Sequence, residues 1–379
     1  MRTLDRYILK QYALNFAILL VVLLAMFVLV DLLVNLDEFT QAGEHHARRA
    51  QDTGGAMPGQ TWFWTLWAIQ DYFAPLLLLL FTFLSGLLAT AAMGFTFAAL
   101  VKSGEVLAML TAGISMFRIA APVLVAGALA NLATLPIKEY LIPPLAHKLL
   151  RGQADLKNDS LRTRGAYFTP DAGGNLLSYA DLDSGAGVIT RVNVLERRDG
   201  VATGRRLSAE RATWDGVAGG WVLQGVTAVE PDPATGTPRR ITLESERISS
   251  SLSPDVLLLR RHSRYIQMLS LAQLDAMARN PNAQRYRQPI LLAMHSRFSF
   301  LVVHVLALLM TLPVFMQREP TRQATLQAIK ASVLCVGAWA AALMIMVAGG
   351  EHLNAMAAAW LPVALFLPVS VYLLQTTKT

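Results

Sequence analysis

Six apolar stretches of the sequence fall into two groups of three, and a long polar segment separates the two groups. A bilayer core about 30 Å thick is spanned by a helix of about 20 apolar residues, and each stretch is long enough to qualify. The predicted spans are Leu14–Leu36, Phe73–Val101, Ile119–Ile137, Phe298–Gln317, Ala331–Gly350 and Leu353–Gln375. The pattern therefore predicts a first membrane half over residues 1–137, a folded insert over residues 138–297 and a second membrane half over residues 298–379.

The composition argues against an ordinary soluble enzyme. Hydrophobic residues make up 54% of the chain and charged residues only 16%, whereas about 25% charged residues is typical of soluble domains. The single cysteine, Cys335, falls in an apolar stretch, so the insert cannot be held together by a disulfide within the chain. We expect no cofactor and no metal, because His45 and His46 lie in a predicted Gly-rich loop without further ligands.

The short loops predict that both termini face the cytoplasm. Basic residues concentrate in the segments that this topology places inside, and the loop after the first span is mostly acidic, in line with the positive-inside rule. The basic residues on the inner side are Arg2, Arg6, Lys10, Lys102, Arg118, Arg318, Arg322, Lys330 and Lys378. The insert then faces outward, which argues against a nucleic-acid ligand.

The insert carries short strand-like runs broken by Gly, Pro and Asp. The runs are Gly165–Thr169, Asn175–Asp181, Val188–Glu196, Arg206–Trp214, Trp221–Val229 and Arg240–Ile248. Their regular spacing predicts an antiparallel all-β sandwich or roll. The alternation is imperfect, since Val222 and Val226 fall on the face opposite Trp221 and Leu223. Two-sided apolar strands indicate either an ordinary sandwich core or a domain open enough to admit an acyl chain.

The segment between the second and third spans combines helix signals with an apolar surface. Ser103 can cap a short helix, Glu105 lies in its first turn, and Gly113 is placed to end it. The apolar residues of this helix are Val106, Leu107, Met109 and Leu110. Two interpretations fit: a helical hairpin that lies on the membrane, or a coupling helix, about residues 103–113, that docks in a groove of a cytoplasmic motor.

Polar residues within or beside the spans are candidates for a substrate cavity. Asp31 qualifies because an intramembrane charge is costly unless it is paired or faces water, although its place near the end of the span also suits an interfacial residue. Asn35 follows one helical turn later, and His304 lies in the fourth span, where the sequence favours a hydrogen-bonded interface residue over a ligand-binding one.

Several motifs, taken in order, resemble the LptF/LptG (YjgP/YjgQ) family of lipopolysaccharide-export permeases. Leu4–Lys10 looks like the opening motif of that family, and His295–Arg297 is similar to its basic entry to the fourth span. Glu105–Met109 with Ala112–Ser115, followed by Arg118 and Pro122, resembles the family's coupling region. Ser208–Trp214 and Gly220–Leu223 resemble jellyroll repeats of the same pathway.

The resemblance implies a non-catalytic permease subunit of an ABC-type exporter for lipopolysaccharide or a related glycolipid. It implies as partners a cytoplasmic ABC ATPase dimer, a second LptF/LptG-type permease subunit and LptC/LptA-like periplasmic jellyroll proteins. The residues it places at the ATPase-coupling helix are Ser103, Gly104, Glu105, Val106, Leu107, Met109 and Arg118. It makes Trp214, Trp221 and Leu223 candidates for the glycolipid path through a periplasmic jellyroll.

The implied fold is a six-helix membrane protein with a periplasmic all-β jellyroll-like domain inserted between the third and fourth helices. The implied location is the bacterial inner membrane. A membrane-anchored periplasmic binding or scaffold protein without transport activity remains the alternative, and the residues leave open which of the two paralogous subunits this chain is.

Overall fold

The fold is taken from a computed structural model of the full chain. The structure describes residues 3–52, 61–150, 162–164, 168–171, 173–183, 186–198, 201–216, 219–232, 237–250, 252–261, 263–279, 286–315 and 324–376. The loop of Arg318 and Arg322 and the terminal residues Arg2 and Lys378, all counted for the predicted topology, lie outside these ranges.

Long apolar helices form the first part of the chain. The helices that precede the sheet are α1 (Thr3–Val34), α2 (Leu36–Asp52), α3 (Thr61–Lys102), α4 (Glu105–Thr111), α5 (Met116–Leu132), α6 (Thr134–Pro136) and α7 (Ala146–Leu149). A π-helical turn over Ile137–Leu141 and a 3-10 turn over Pro143–Leu145 connect α6 to α7. Pro136 and the two prolines of the 3-10 turn fit this irregularity, because proline removes a backbone donor from a regular helix.

The chain returns to helices after the sheet. These are α8 (Pro254–Arg261), α9 (Leu271–Arg279), α10 (Arg287–Phe315), α11 (Ala324–His352) and α12 (Ala355–Thr376), with a 3-10 helix over Ser263–Met268 between α8 and α9. α10 lies inside the helix bundle, where it contacts α3, α5, α11 and α12. Six helices in the described part of the chain are long and apolar enough to cross a membrane.

The helices run beyond the predicted spans on the side of the insert. The prediction of a loop after the first span is wrong for residues 36–52, which form the amphipathic helix α2 with His45 and His46 in its third turn. Phe39 of α2 stacks on Phe73 of α3, and His46 contacts the edge of Trp67. α10 likewise begins at Arg287 rather than near Phe298. Hydropathy missed these extensions because their apolar residues cover only one helix face.

One eight-stranded antiparallel sheet follows the third candidate span along the chain and precedes the fourth. Its strands are β1 (Arg162–Arg164), β2 (Thr169–Pro170), β3 (Leu176–Ser178), β4 (Asp181–Asp183), β5 (Val188–Arg198), β6 (Val201–Asp215), β7 (Gly220–Pro231) and β8 (Pro238–Ser249). The main path runs β1-β4-β5-β6-β7-β8, with β3 paired to β5 and β2 to β3. The prediction of an antiparallel sheet is confirmed, with β6 and β7 joined by a turn next to Asp215.

A bend across the sheet explains the imperfect alternation. The pairing places Arg191, Glu210, Gly225 and Glu244 on one line across β5 to β8. Arg191 and Gly225 adopt left-handed backbone conformations, with φ of 51° and 65°. On β7 the buried residues are Trp221 and Leu223 before this line and Val226 and Ala228 after it, so the inward face changes phase. Val226 therefore enters the same core as Trp221 and Leu223, whereas Val222 is half-buried and lies on the other face.

Candidate functional site

The short helix α4 lies between α3 and α5 and carries the predicted coupling segment. Its N-cap is Gly104, with φ of 76° and no capping side chain, so the prediction that Ser103 caps the helix is wrong. The Ser103 hydroxyl instead lies 3.0 Å from the Glu105 carboxylate. Gly113, with φ of 78°, ends the helix as predicted, because its N–H bonds to Leu110 O and the next N–H bonds to Met109 O.

The two faces of α4 have different environments. Val106 is 6% exposed and belongs to the buried cluster that α1, α3, α5 and α10 form, and Met109 packs against the same cluster. Leu107 is 66% exposed. The apolar residues of α4 therefore divide between two environments, since Val106 packs into the buried cluster and Leu107 is the large apolar side chain that the helix presents outward.

The beginning of α1 holds α4 and α5 in place. The Tyr7 hydroxyl donates a 3.1 Å hydrogen bond to the Glu105 carboxylate. Arg118, near the start of α5, donates to both oxygens of Asp5 at 3.1 and 3.2 Å. Glu105 and Arg118, both predicted from the sequence, are thus each bonded to α1. The bonded residues are 98 and 113 positions apart in the chain, so no local sequence pattern indicates these contacts.

The three candidates for a substrate cavity do not lie together. Asn35, at the break between α1 and α2, donates to the carbonyl and the carboxylate of Asp31 at 2.9 and 3.1 Å. His304 instead lines a separate cavity of about 120 Å³, which is also lined by Lys138, Arg297 and Trp339. The structure therefore places Asp31 and Asn35 at a helix junction and only His304 in this cavity.

A buried ion pair connects the two membrane halves and was not found from the sequence. Arg297 of α10 pairs with Glu139 of the π-helical turn at 3.2 Å and also donates to the Leu269 carbonyl oxygen. The Glu139 carboxylate accepts the Leu271 N–H, the first of α9, at 2.9 Å. Charge-assisted hydrogen bonds in a partly dry site are stronger than neutral ones. One carboxylate therefore fixes the third span, the fourth span and α9 to each other.

The candidate glycolipid-path residues belong to the packed core of the sheet. Trp221 is 1% exposed, and its indole N–H donates to Leu252 O at 2.9 Å. Trp214 contacts its ring edge to face at 5.2 Å between centroids, and Leu223 is fully buried beside them. The cavity next to Trp221 and Leu223 measures only about 10 Å³, about the space of one water molecule.

One arginine of the insert, Arg205, is surrounded by carboxylates of neighbouring strands. Arg205 makes ion pairs with Glu196, Glu230 and Glu246 at 3.0, 3.4 and 2.7 Å. Burial opposes its charge, but the hydrogen bonds and charges of Glu246 and Glu196 outweigh this and raise the pKa of Arg205 above its ordinary value. An arginine with three carboxylate partners connects neighbouring strands and is not available to bind an anionic ligand.

The described part of the chain has six membrane-type helices, a sheet domain and a short anchored helix between the second and third spans, which is the layout of a multi-pass membrane protein. The family described as lipopolysaccharide export system permease LptF/LptG matches residues 63–376. The chain belongs to the LptF/LptG family, whose members are transporter permeases and not catalysts. A comparison with curated protein sequences gave no match.

Proposed function

We propose that this chain is a permease subunit of an ABC-type exporter. It extracts lipopolysaccharide or a related glycolipid from the bacterial inner membrane and passes it to a periplasmic bridge, while a separate cytoplasmic ATPase dimer hydrolyses ATP. Membership of the LptF/LptG family supports the cargo class. The complex contains a second LptF/LptG-type subunit and LptC/LptA-like jellyroll proteins, and both termini of this chain face the cytoplasm.

The observation that carries the proposal is the asymmetry of α4. Val106 is packed into the membrane core, whereas Leu107 projects from an otherwise small and polar face formed by Ala108, Thr111 and Ala112. A rigidly anchored helix with one exposed anchor side chain suits docking into a groove of a partner.

The connection of α4 to α1 and α5 gives docking a mechanical consequence. Movement of α4 pulls on Tyr7 through Glu105, and α1 is in turn connected to α5 through Asp5 and Arg118. The two spans therefore move with the ATPase groove as one unit. The buried Glu139–Arg297 pair transmits the motion towards the insert, because it ties the spans to α9 at the base of the sheet domain.

The route of the cargo through the insert follows Trp214, Trp221 and Leu223 in this proposal. Since the cavity beside Trp221 and Leu223 is about 10 Å³, an acyl chain enters only after the sheet opens. Opening on the side of β1 and β8, the two ends of the main strand path, breaks the fewest strand pairings.

Leu107→Asp tests the docking step. Because Leu107 is exposed, we expect the variant to insert into the membrane and to melt at the wild-type temperature, while the ATPase binds at least about tenfold more weakly, as for a central anchor side chain. The measurement is co-purification of the ATPase with the full-length permease complex, together with thermal unfolding in detergent.

The neighbouring residue provides the control. Val106→Ala removes two buried methyl groups, so it should lower the free energy of unfolding by about 1.5 kcal/mol while leaving the outward face unchanged. Co-purification should then persist for Val106→Ala and fail for Leu107→Asp. Retained ATPase binding by Leu107→Asp would contradict the coupling role and favour a scaffold protein without transport.

A further inference from the structure

A cavity between the membrane helices opens where the insert meets them and is not explained by coupling. It has a volume of about 120 Å³ and is lined by residues of α3, the π-helical turn, α10 and α11. Its lining includes three aromatic rings, from Phe83, Phe300 and Trp339, and six polar side chains, of which three are basic. The basic residues are Lys138, Arg297 and His304.

The positive charges in this cavity are incompletely neutralised. Arg297 is compensated by Glu139, which lies 3.2 Å away. Among the residues that the structure describes, no carboxylate pairs with Lys138, whose ammonium group lies 5.6 Å from the centroid of the Phe83 ring. The charges of Lys138 and Arg297 also repel each other. A cation–π contact is worth only about 0.5–2 kcal/mol, so it does not replace a carboxylate partner for the half-buried Lys138.

His304 also lacks a polar partner in this cavity. Its side chain is only 7% exposed, and within the described part of the chain neither ring nitrogen has a hydrogen-bond partner. Buried polar groups in native proteins nearly always have a partner. A neutral imidazole can donate one hydrogen bond, so an acceptor in the cavity would satisfy His304 while it compensates Lys138.

We propose that this cavity binds the phosphate group of an anionic lipid headgroup. Lys138 serves as its counter-ion, His304 as a hydrogen-bond donor, and the aromatic walls contact the glycerol or sugar and the first acyl carbons. A cation at the end of an apolar pocket suits an amphiphile better than a free ion, since both parts of the ligand are then matched. The inference rests on the proposed function only for placing the cavity at the outer leaflet.

The lipid has two possible sources with the same chemistry, the surrounding phospholipid and the transported glycolipid. The full-length permease complex is reconstituted in phosphatidylcholine nanodiscs that contain a minority of either phosphatidylglycerol or phosphorylated lipid A. Native mass spectrometry then counts the bound lipid for wild type, Lys138→Met, Lys138→Arg and Lys10→Met. Lys10→Met is the charge-matched control, because Lys10 is an exposed residue near the beginning of α1, a helix that does not line the cavity.

We expect Lys138→Met to lower the occupancy of at least one anionic lipid about tenfold or more, as for loss of a charged hydrogen-bond partner. Lys138→Arg should retain binding, and Lys10→Met should bind as wild type does. Preference for phosphatidylglycerol identifies a resident phospholipid, and preference for lipid A identifies cargo. Equal binding of both anionic lipids by wild type and Lys138→Met would overturn the proposal.

A stability measurement keeps the test independent of lipid affinity. In detergent without anionic lipid, Lys138→Met removes an uncompensated charge, so its melting temperature should equal or exceed that of wild type. Added phosphatidylglycerol or lipid A should then stabilise wild type but not Lys138→Met. ATPase co-purification should be the same for Lys138→Met and wild type, so loss of this site and loss of the coupling role give different results.

Discussion

Replacing Glu139 by leucine is expected to lower the free energy of unfolding by about 3–5 kcal/mol, the cost of leaving a buried charge without its partner. Arg297 is the charge left behind: its side chain is 6% exposed, and Glu139 is its only carboxylate partner among the described residues. The same substitution removes the acceptor for the Leu271 N–H. Thermal unfolding of the full-length protein in detergent, followed by circular dichroism, measures the effect.

Two further variants separate the ion pair from a general loss of charge. Arg297→Met added to Glu139→Leu should recover much of the stability, because both charges are then gone. Asp275→Leu removes an exposed carboxylate that pairs with Arg279 on α9, and it should change stability by less than about 0.5 kcal/mol. If Glu139→Leu and Asp275→Leu unfolded at the same temperature, the buried pair would not join the membrane halves as described.

Gly86→Ala is expected to destabilise the protein by about 1–3 kcal/mol, although alanine is the better helix former. A Cβ atom at Gly86 of α3 would lie 2.3 Å from Cδ2 and 2.5 Å from Cγ of the His304 ring, so the close approach of α3 and α10 depends on this glycine. The readout is again the midpoint of thermal unfolding in detergent.

A matched glycine substitution is expected to change the free energy of unfolding in the opposite direction. Gly337→Ala introduces the same methyl group into α11, where a Cβ would have no neighbour within 4 Å, so it should be neutral or stabilising by up to about 1 kcal/mol. Adding His304→Ala to Gly86→Ala should relieve the clash. A neutral Gly86→Ala would show that α3 and α10 do not pack as closely as the structure has them.

The sequence predicted the parts of the fold that depend on one repeating pattern. Runs of apolar residues gave six spans, and turn residues gave the antiparallel sheet. It could not predict α2 from hydropathy, because the helix is amphipathic and polar on average. The phase change at Arg191 and Gly225 hid the alternation of β5 and β7, since it depends on how several strands bend together.

For the candidate site, too, the sequence predicted the local features and missed the contacts between distant residues. Glu105 and Gly113 carry local helix signals, and the structure places both in or beside α4. The roles of Val106 and Leu107 could not be separated, because which apolar residue faces the membrane core depends on the packing of α1 and α3. The pair Glu139–Arg297 and the approach of Lys138 to Phe83 join residues that are distant in sequence. No spacing rule finds such contacts.

In the proposed function, force enters at α4 and the glycolipid leaves through the insert. ATP-dependent transfer of lipopolysaccharide from proteoliposomes to a soluble periplasmic jellyroll acceptor measures both steps together. We expect the wild-type complex to transfer lipopolysaccharide only when ATP is present, and the Leu107→Asp complex to transfer it at the ATP-free background level. Transfer at the wild-type rate by Leu107→Asp, or transfer by wild type that does not depend on ATP, would contradict the proposed function.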